Sequence, residues 1–181
     1  IAEESRQLPR AIAWLEKVTQ GEQAMPALLR RAVLIGKSGD VERASELLRN
    51  TTASTNRERV QLIAVEAQVL REANRGVESF EVLARALERL PNNPELLYDH
   101  AMAAERLDRV EVMETSLRKL IQIKPDNAHA YNALGYSLAE RGLRLEEAQA
   151  LIEKALQLMP EDAHILDSMG WVLFRRGENE R

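Results

Sequence analysis

Cysteine is missing from the chain, so disulfide bridges and thiolate metal sites are excluded, while reducing and oxidising compartments both stay open. Long apolar runs are missing too: none approaches the roughly 20 residues that span a bilayer. The start carries no charged, apolar, small-residue signal pattern, and it opens on Ile1 rather than Met, which leaves open an address or anchor upstream. A surplus of basic charge is also lacking. The formal net charge is -4, which gives no electrostatic reason to expect nucleic acid. No G-x-S-x-G elbow, Walker-type loop or dinucleotide fingerprint occurs, and no cofactor is expected. What remains, 45% hydrophobic and 30% charged residues, is too apolar for general disorder and is ordinary for a folded chain.

What the chain does have is repetition. "NALGYSLAERG" (Asn132 to Gly142) returns as "DSMGWVLFRRG" (Asp167 to Gly177), and the preambles "PDNAH" and "PEDAH" match as well. A glycine in a helix interior costs about 1 kcal/mol relative to alanine, yet Gly135 and Gly170 both stand where helix is read on either side. Aligned outward, the small residue recurs as Ala32, Ala67, Ala101, Gly135 and Gly170. Four residues earlier stand Leu28, Ile63, Leu97, Tyr131 and Leu166, and three later Ile35, Leu70, Ala104, Leu138 and Leu173, one helix face at i, i+4, i+7. A second ladder begins at Ala11, Ala44, Ser79, Met113 and Ala148. It continues through Leu15, Leu48, Leu83, Leu117 and Ile152 to Val18, Thr51, Ala86, Leu120 and Ala155. Pro91, Pro125 and Pro160 close three units.

Two helices per unit at a period near 34 predict an all-α fold, a right-handed α-solenoid of antiparallel helix pairs. The organisation reads as a half unit at 6–20, units at 25–58, 60–93, 94–127 and 128–162, and a half unit at 163–176. "GKSGD" (Gly36 to Asp40) and "ERGLRLEE" (Glu140 to Glu147) read as turns inside units, and "NTTASTNRE" (Asn50 to Glu58) as an irregular joint. The small residues are expected to let neighbouring helices approach closely. The last helix is too apolar for a cap, with Ile165, Leu166, Met169, Trp171, Val172 and Phe174, so the sequence reads as a piece of a longer solenoid.

Catalytic and metal chemistry find little support. His129 and His164 hold equivalent places in successive units, but zinc needs three or four ligands at about 2.0–2.1 Å, and no His-x3-His pair is present. His100 stands at a packing place. The pairs Glu3/Glu4, Glu146/Glu147 and Glu161/Asp162 fall in turns or at helix starts, where acids favour the helix dipole. The arginines Arg141, Arg144, Arg175, Arg176 and Arg181 read as a solvated face.

"YNALGYSL", "AQALI" and Pro160 resemble the tetratricopeptide repeat, with Tyr131, Leu134, Gly135, Leu138, Ala148, Ile152 and Pro160 in its defining places. The third unit departs from it at His100 and Met113. The resemblance implies a non-catalytic scaffold that holds other polypeptides in a concave groove lined by the first helix of each unit. Carried over, that lining is Ala64, Gln68, Arg71, Tyr98, Met102, Arg106, His129, Asn132, Tyr136, His164, Asp167, Trp171 and Arg175. A Lys/Asn/Arg clamp for carboxylate tails, known in one subtype, is absent where Ala64, Gln68, Tyr98 and Met102 stand.

The stretch Ala128 to Glu178 further resembles proteobacterial tetratricopeptide lipoproteins, one of which binds and activates a periplasmic carboxyl-terminal processing protease. That resemblance implies an adaptor for the protease and its substrates on the periplasmic side of the outer membrane, anchored by a lipid outside this segment. Alternatives are an accessory domain of an enzyme and a cytoplasmic assembly chaperone. Self-association through the last helix stays open.

Overall fold

A computed structural model describes residues 2–177, with side chains described from residue 7 onward. Among these are ten helices and no strand: α1 (Ala2–Leu15), α2 (Ala24–Lys37), α3 (Val41–Arg49), α4 (Asn56–Glu72), α5 (Gly76–Arg89), α6 (Pro94–Arg106), α7 (Val110–Ile123), α8 (Ala128–Glu140), α9 (Leu145–Leu158) and α10 (Ala163–Arg175). They form two compact units, Ile1–Pro91 with α1 to α5 and Asn92–Arg181 with α6 to α10. In the first, α2 packs on α1, α3 and α4, and α4 packs on α3 and α5. In the second, α6 packs on α7, α7 on α8, and α8, α9 and α10 on one another. Helix pairs in series are the expected α-solenoid class.

The turns within pairs are closed by one device repeated along the chain. Gly39, Asn74, Asp108 and Gly142 each have positive φ, at 97°, 60°, 54° and 65°. The amide that follows each donates five residues back, from Asp40 to Ile35, Arg75 to Leu70, Arg109 to Ala104 and Leu143 to Leu138. This is the Schellman closure, which satisfies helix-end carbonyls. Asparagine and aspartate can take the place of glycine because they tolerate the left-handed region best among residues with a Cβ. In the longer turn of the fourth pair, Arg144 also adopts φ 45°.

The starts of α6, α8 and α10 carry side-chain caps, whereas α2, α5, α7 and α9 start without one. Asn93 Oδ1 accepts from the amide of Leu96, Asn127 Oδ1 from that of Ala130, each at 3.0 Å, and Asp162 Oδ1 from those of His164 and Ile165. The repeated preambles are therefore N-caps, each worth about 1 kcal/mol. The joint expected over Asn50 to Glu58 is irregular at 50–55 only, since 56–58 already belong to α4. Thr51 Oγ1 donates to the Leu47 carbonyl, and Thr55 caps α4 while Glu58 accepts from the Ser54 amide.

The ladders form the cores. Ala32, Ala44, Leu48, Ala67, Leu70 and Leu83 are buried in the first unit, and Leu97, Ala101, Met113, Leu117, Leu138 and Ile152 in the second. They fade toward the ends, where Val18 and Leu166 are exposed. A Cβ built on Gly135 would stand 2.7 Å from Ile152 Cγ1 and 2.8 Å from the Ala148 carbonyl oxygen, so α9 closes on α8 there as expected. Gly170 departs from that expectation, because nothing lies within 4 Å of where its Cβ would be. Gly36 departs in the other direction. It lies inside α2 rather than in the turn, and its Cβ would meet Val69 Cγ1 at 2.7 Å, so it is a close-approach residue of the pair α2 and α4.

Candidate groove on the second unit

Packing uses up one face of α6, α8 and α10 through Leu97, Ala101, Leu134, Leu138, Ile165 and Val172, all buried. The residues proposed for the groove fall on what is left. Tyr98, Met102, Asn132, Tyr136, Trp171 and Arg175 are half-buried, and Arg106, His129, His164 and Asp167 are exposed. Arg71, on α4 of the first unit, is exposed, and Ala64 and Gln68 are half-buried. Trp171 stacks on Phe174 with ring centroids 5.5 Å apart, and the Arg175 guanidinium lies 5.7 Å from the Trp171 centroid. Asn132 Oδ1 and Trp171 Nε1 are shielded from solvent without a hydrogen-bond partner. An unpaired polar atom of this kind costs about 1–3 kcal/mol.

Tyr98 and His129 line one cleft of about 610 Å³ with Asn93, Pro94, Glu95, Asp99, Lys124 and Asn127. Both groove tyrosines have carboxylates near them, with Arg106 offsetting part of their field at Tyr98. Burial first, then the carboxylates Asp99 and Glu105, push the Tyr98 hydroxyl above its ordinary pKa. Tyr136 is raised by burial, by hydrogen bonding to Glu140 and by the fields of Asp167 and Glu105. A phenol resists ionisation when its surroundings are already negative and poorly solvated. The pattern of exposed aromatics could be read from sequence, but the cleft that Tyr98 on α6 forms with Asn127 and His129 near the start of α8 could not.

The remaining candidates are consumed by structure. His100 is buried, its Nδ1 lies 3.0 Å from Ser116 Oγ, and burial followed by the field of Arg109 holds its pKa below the ordinary value. Arg141 pairs with Glu105 and Asp108, Arg144 with Glu114 and Glu147, and Arg176 with Glu146, so these arginines tie turns together rather than forming a free patch. Arg181 lies outside the described residues. No group of three or more His, Asp or Glu among the described residues is placed to hold a metal ion.

A larger cleft, about 800 Å³, opens in the first unit, where α3 stops after 9 residues whereas α5 runs for 14. Glu66 is buried at its side and accepts from Arg49 Nε at 2.6 Å. Burial raises the Glu66 carboxyl above its ordinary pKa, with Arg49 and Arg85 pulling the other way. Arg49, Arg59, Arg85 and Arg89 face Glu66, Glu78, Glu81 and Glu88 around this cleft, a balance of charge that favours no ligand of one sign. The sequence carried a signal for Glu66 that went unread. The place before each small residue holds Arg31, Glu66, His100, Leu134 and Met169, polar in three units, and only His100 stood out.

Comparison with known proteins separates the two halves of the chain. Residues 94–127 match the tetratricopeptide-repeat family model, and residues 2–86 match the model of the fimbrial assembly protein PilN. A TPR repeat-containing protein of Pseudomonas aeruginosa is 37% identical over 141 residues, which is 78% of this chain and 24% of that protein. The chain thus spans about a quarter of the length of the curated relative it matches. Among solved structures, a tetratricopeptide repeat protein from Parabacteroides merdae superposes with a TM-score of 0.72 at 18% identity, over 88% of this chain and 64% of that one. MamA from MSR-1 gives 0.63 at 17% identity over 88% and 90%. The first TPR of Spaghetti bound to an HSP90 peptide gives 0.60 at 19% identity over 64% and 91%. The chain carries tetratricopeptide repeats. The Schellman turns at Gly39 and Asn74 extend the same helix-pair construction through the stretch matched by the fimbrial model.

Proposed function

Starting from a chain of tetratricopeptide repeats, we propose that it is a non-catalytic scaffold whose second-unit groove holds a partner polypeptide. The observation that carries this is the division of labour on α6, α8 and α10. One face is consumed by packing, and the other keeps Tyr98, Asn132, Tyr136 and Trp171 half-buried. Tyrosine and tryptophan are enriched at interface hot spots. The unpaired Asn132 Oδ1 and Trp171 Nε1 supply an acceptor and a donor that a bound main chain satisfies once these side chains shift. The structural neighbour bound to an HSP90 peptide supports peptide binding by this architecture. The absence of the Lys/Asn/Arg clamp at Ala64, Gln68, Tyr98 and Met102 argues against an acidic tail as the ligand here.

The resemblance of Ala128 to Glu178 supports the finer reading. In it the chain is an adaptor for a periplasmic carboxyl-terminal processing protease and its substrates, held at the outer membrane by a lipid anchor outside this segment. Pull-down from a periplasmic extract, probed for that protease, is expected to succeed with the native chain and to weaken with Tyr136→Ala and Trp171→Ala. Circular dichroism would confirm that both variants fold. Recovery of every partner at native levels would remove the groove from the account, and failure of the protease to appear with the native chain would remove the adaptor role. The fimbrial-assembly match over residues 2–86 favours a second reading, in which the first unit serves assembly of such a machine. Capture of fimbrial components through residues 2–86 would decide for it.

A further inference from the structure

The first-unit cleft lies where one helix stops short. α3, α5, α7 and α9 hold the same place in successive pairs, and the last three each run for 14 residues whereas α3 ends after 9. The difference corresponds to about 7.5 Å of helix, close to a turn and a half. In the longer helices that stretch is seated: Ala86, Leu120 and Ala155, at equivalent places in the second ladder, are all buried. Thr51 stands at that place after α3. It is half-buried, its hydroxyl donates to the Leu47 carbonyl, and the chain turns away into the joint at 50–55.

The cleft of about 800 Å³ beside it has an apolar lining of Leu48, Ala53, Leu62, Ile63, Val82 and Ala86. Leu48 and Leu62 belong to one core cluster against which Ala53 packs, so this lining is fixed by the fold. The rim carries both signs, Arg59, Arg85 and Arg89 with Glu81 and Glu88, while Glu78 is held by Arg75 outside the cleft. Shape and apolar surface, rather than charge, therefore choose what enters. One polar demand is built in. The Glu66 side chain is 8% exposed and accepts from Arg49 Nε at Oε1, whereas its other oxygen takes no hydrogen bond among the described residues. A carboxylate accepts at both oxygens, and a buried acceptor without a donor is costly.

We propose that this cleft docks a short amphipathic helical segment of a partner polypeptide, lying where the last turn and a half of a longer α3 would run. The repeats show what fits there: an apolar residue turned toward the lining, as Leu120 is buried in the last turns of α7. A hydroxyl or amide of the segment donates to the second oxygen of Glu66. Docking of a helix in a groove needs a preformed apolar trough, and the early end of α3 beside the full length of α5 supplies it. The helix comes from another chain, because α5, α7 and α9 are already packed within this one. The site is separate from the second-unit groove, so the scaffold can hold two polypeptides at once.

The test uses the full chain, isotope-labelled for nuclear magnetic resonance, and a synthetic peptide copying Val110–Ile123, the sequence of α7 with its Ser116 and Leu120. Titration is expected to move the amide signals of Leu62, Ile63, Val82 and Ala86. Binding is expected to be at least about tenfold tighter than for the same peptide with Leu120→Pro, which cannot hold the helix. Ala53→Trp, which fills the cleft from the joint, is expected to abolish binding, and Glu66→Ala to weaken it about fivefold. Tyr136→Ala, in the second-unit groove, is expected to leave it unchanged. Should Ala53→Trp fail to fold, the map of shifted signals on the native chain decides alone. No binding at about 1 mM peptide, or signals that move only on other surfaces, would overturn the inference. Equal affinity of the proline peptide, or loss of binding in Tyr136→Ala, would overturn it as well.

Discussion

Gly135 and Gly170 occupy the same place in two stretches of nearly the same sequence, yet they do opposite things. Around Gly135, α9 closes so tightly that a single methyl group would collide with a side chain and with a backbone oxygen. Around Gly170 there is open space, and its helix leaves Leu166 at 50% and Phe174 at 57% exposure, whereas Leu134 and Leu138 on α8 are fully buried. A glycine in a helix is a cost unless something needs the room. At Gly135 the packed neighbour recovers that cost, and at Gly170, among the described residues, nothing does.

The contrast can be broken most forcefully at the neighbour. Ile152→Ala empties the contact that seals Gly135 and is expected to destabilise the chain by about 2–5 kcal/mol in urea unfolding. Phe174→Ala, on exposed α10, is expected to stay within about 0.5 kcal/mol. Equal effects would mean that the two helices are packed alike. Next in size, Gly135→Ala overpacks a contact that includes a rigid carbonyl and should cost about 1–3 kcal/mol. The same change at Gly170 is expected to stabilise by up to about 1 kcal/mol, the ordinary helix-propensity gain. A stabilised Gly135→Ala would show that α9 yields freely.

A smaller effect compares two carboxylates. The folded pKa of Glu66 is raised by burial, so the stability it contributes is fully present below the ordinary value of 4.5 and is lost as pH rises through its folded pKa. Glu114 is held down by hydrogen bonds from Arg144 and Arg118, so its contribution is present above 4.5 and lost as pH falls through its folded pKa. Glu66→Gln is therefore expected to flatten the decline of stability above pH 4.5, and Glu114→Gln to flatten the decline below it. Denaturant melts across acid pH would check both, and an unchanged profile for Glu66→Gln would show that Arg49 fully compensates the burial.

Most of the architecture was legible because it is written as periodicity. Leu48, Leu83, Leu117 and Ile152 recur at one helical place and are all buried, since an amphipathic helix has only one face it can hide. Gly36 was not legible. A glycine that ends a helix and one that yields to a neighbour look alike in a string of letters, and only Val69, far along the chain, tells them apart. Glu66 was missed for a related reason, because its partner Arg49 belongs to a different helix pair. On the groove, Tyr98, Tyr136 and Trp171 could be placed on a face by spacing, but not the residues of the next helix pair, Asn127 and His129, that close the cleft beside Tyr98.

By itself the sequence determined where helices start and stop, which face of each is apolar, and that pairs repeat. Those properties depend on residues within a few positions of one another, which the chain spells out directly. The tertiary structure alone decided which of the small residues are pressed against a neighbour, which arginines are committed to carboxylates, and where the groove opens a cleft. Each of these is a contact between different helices, as Arg144 with Glu114 or Gly135 with Ile152, and no local preference specifies it.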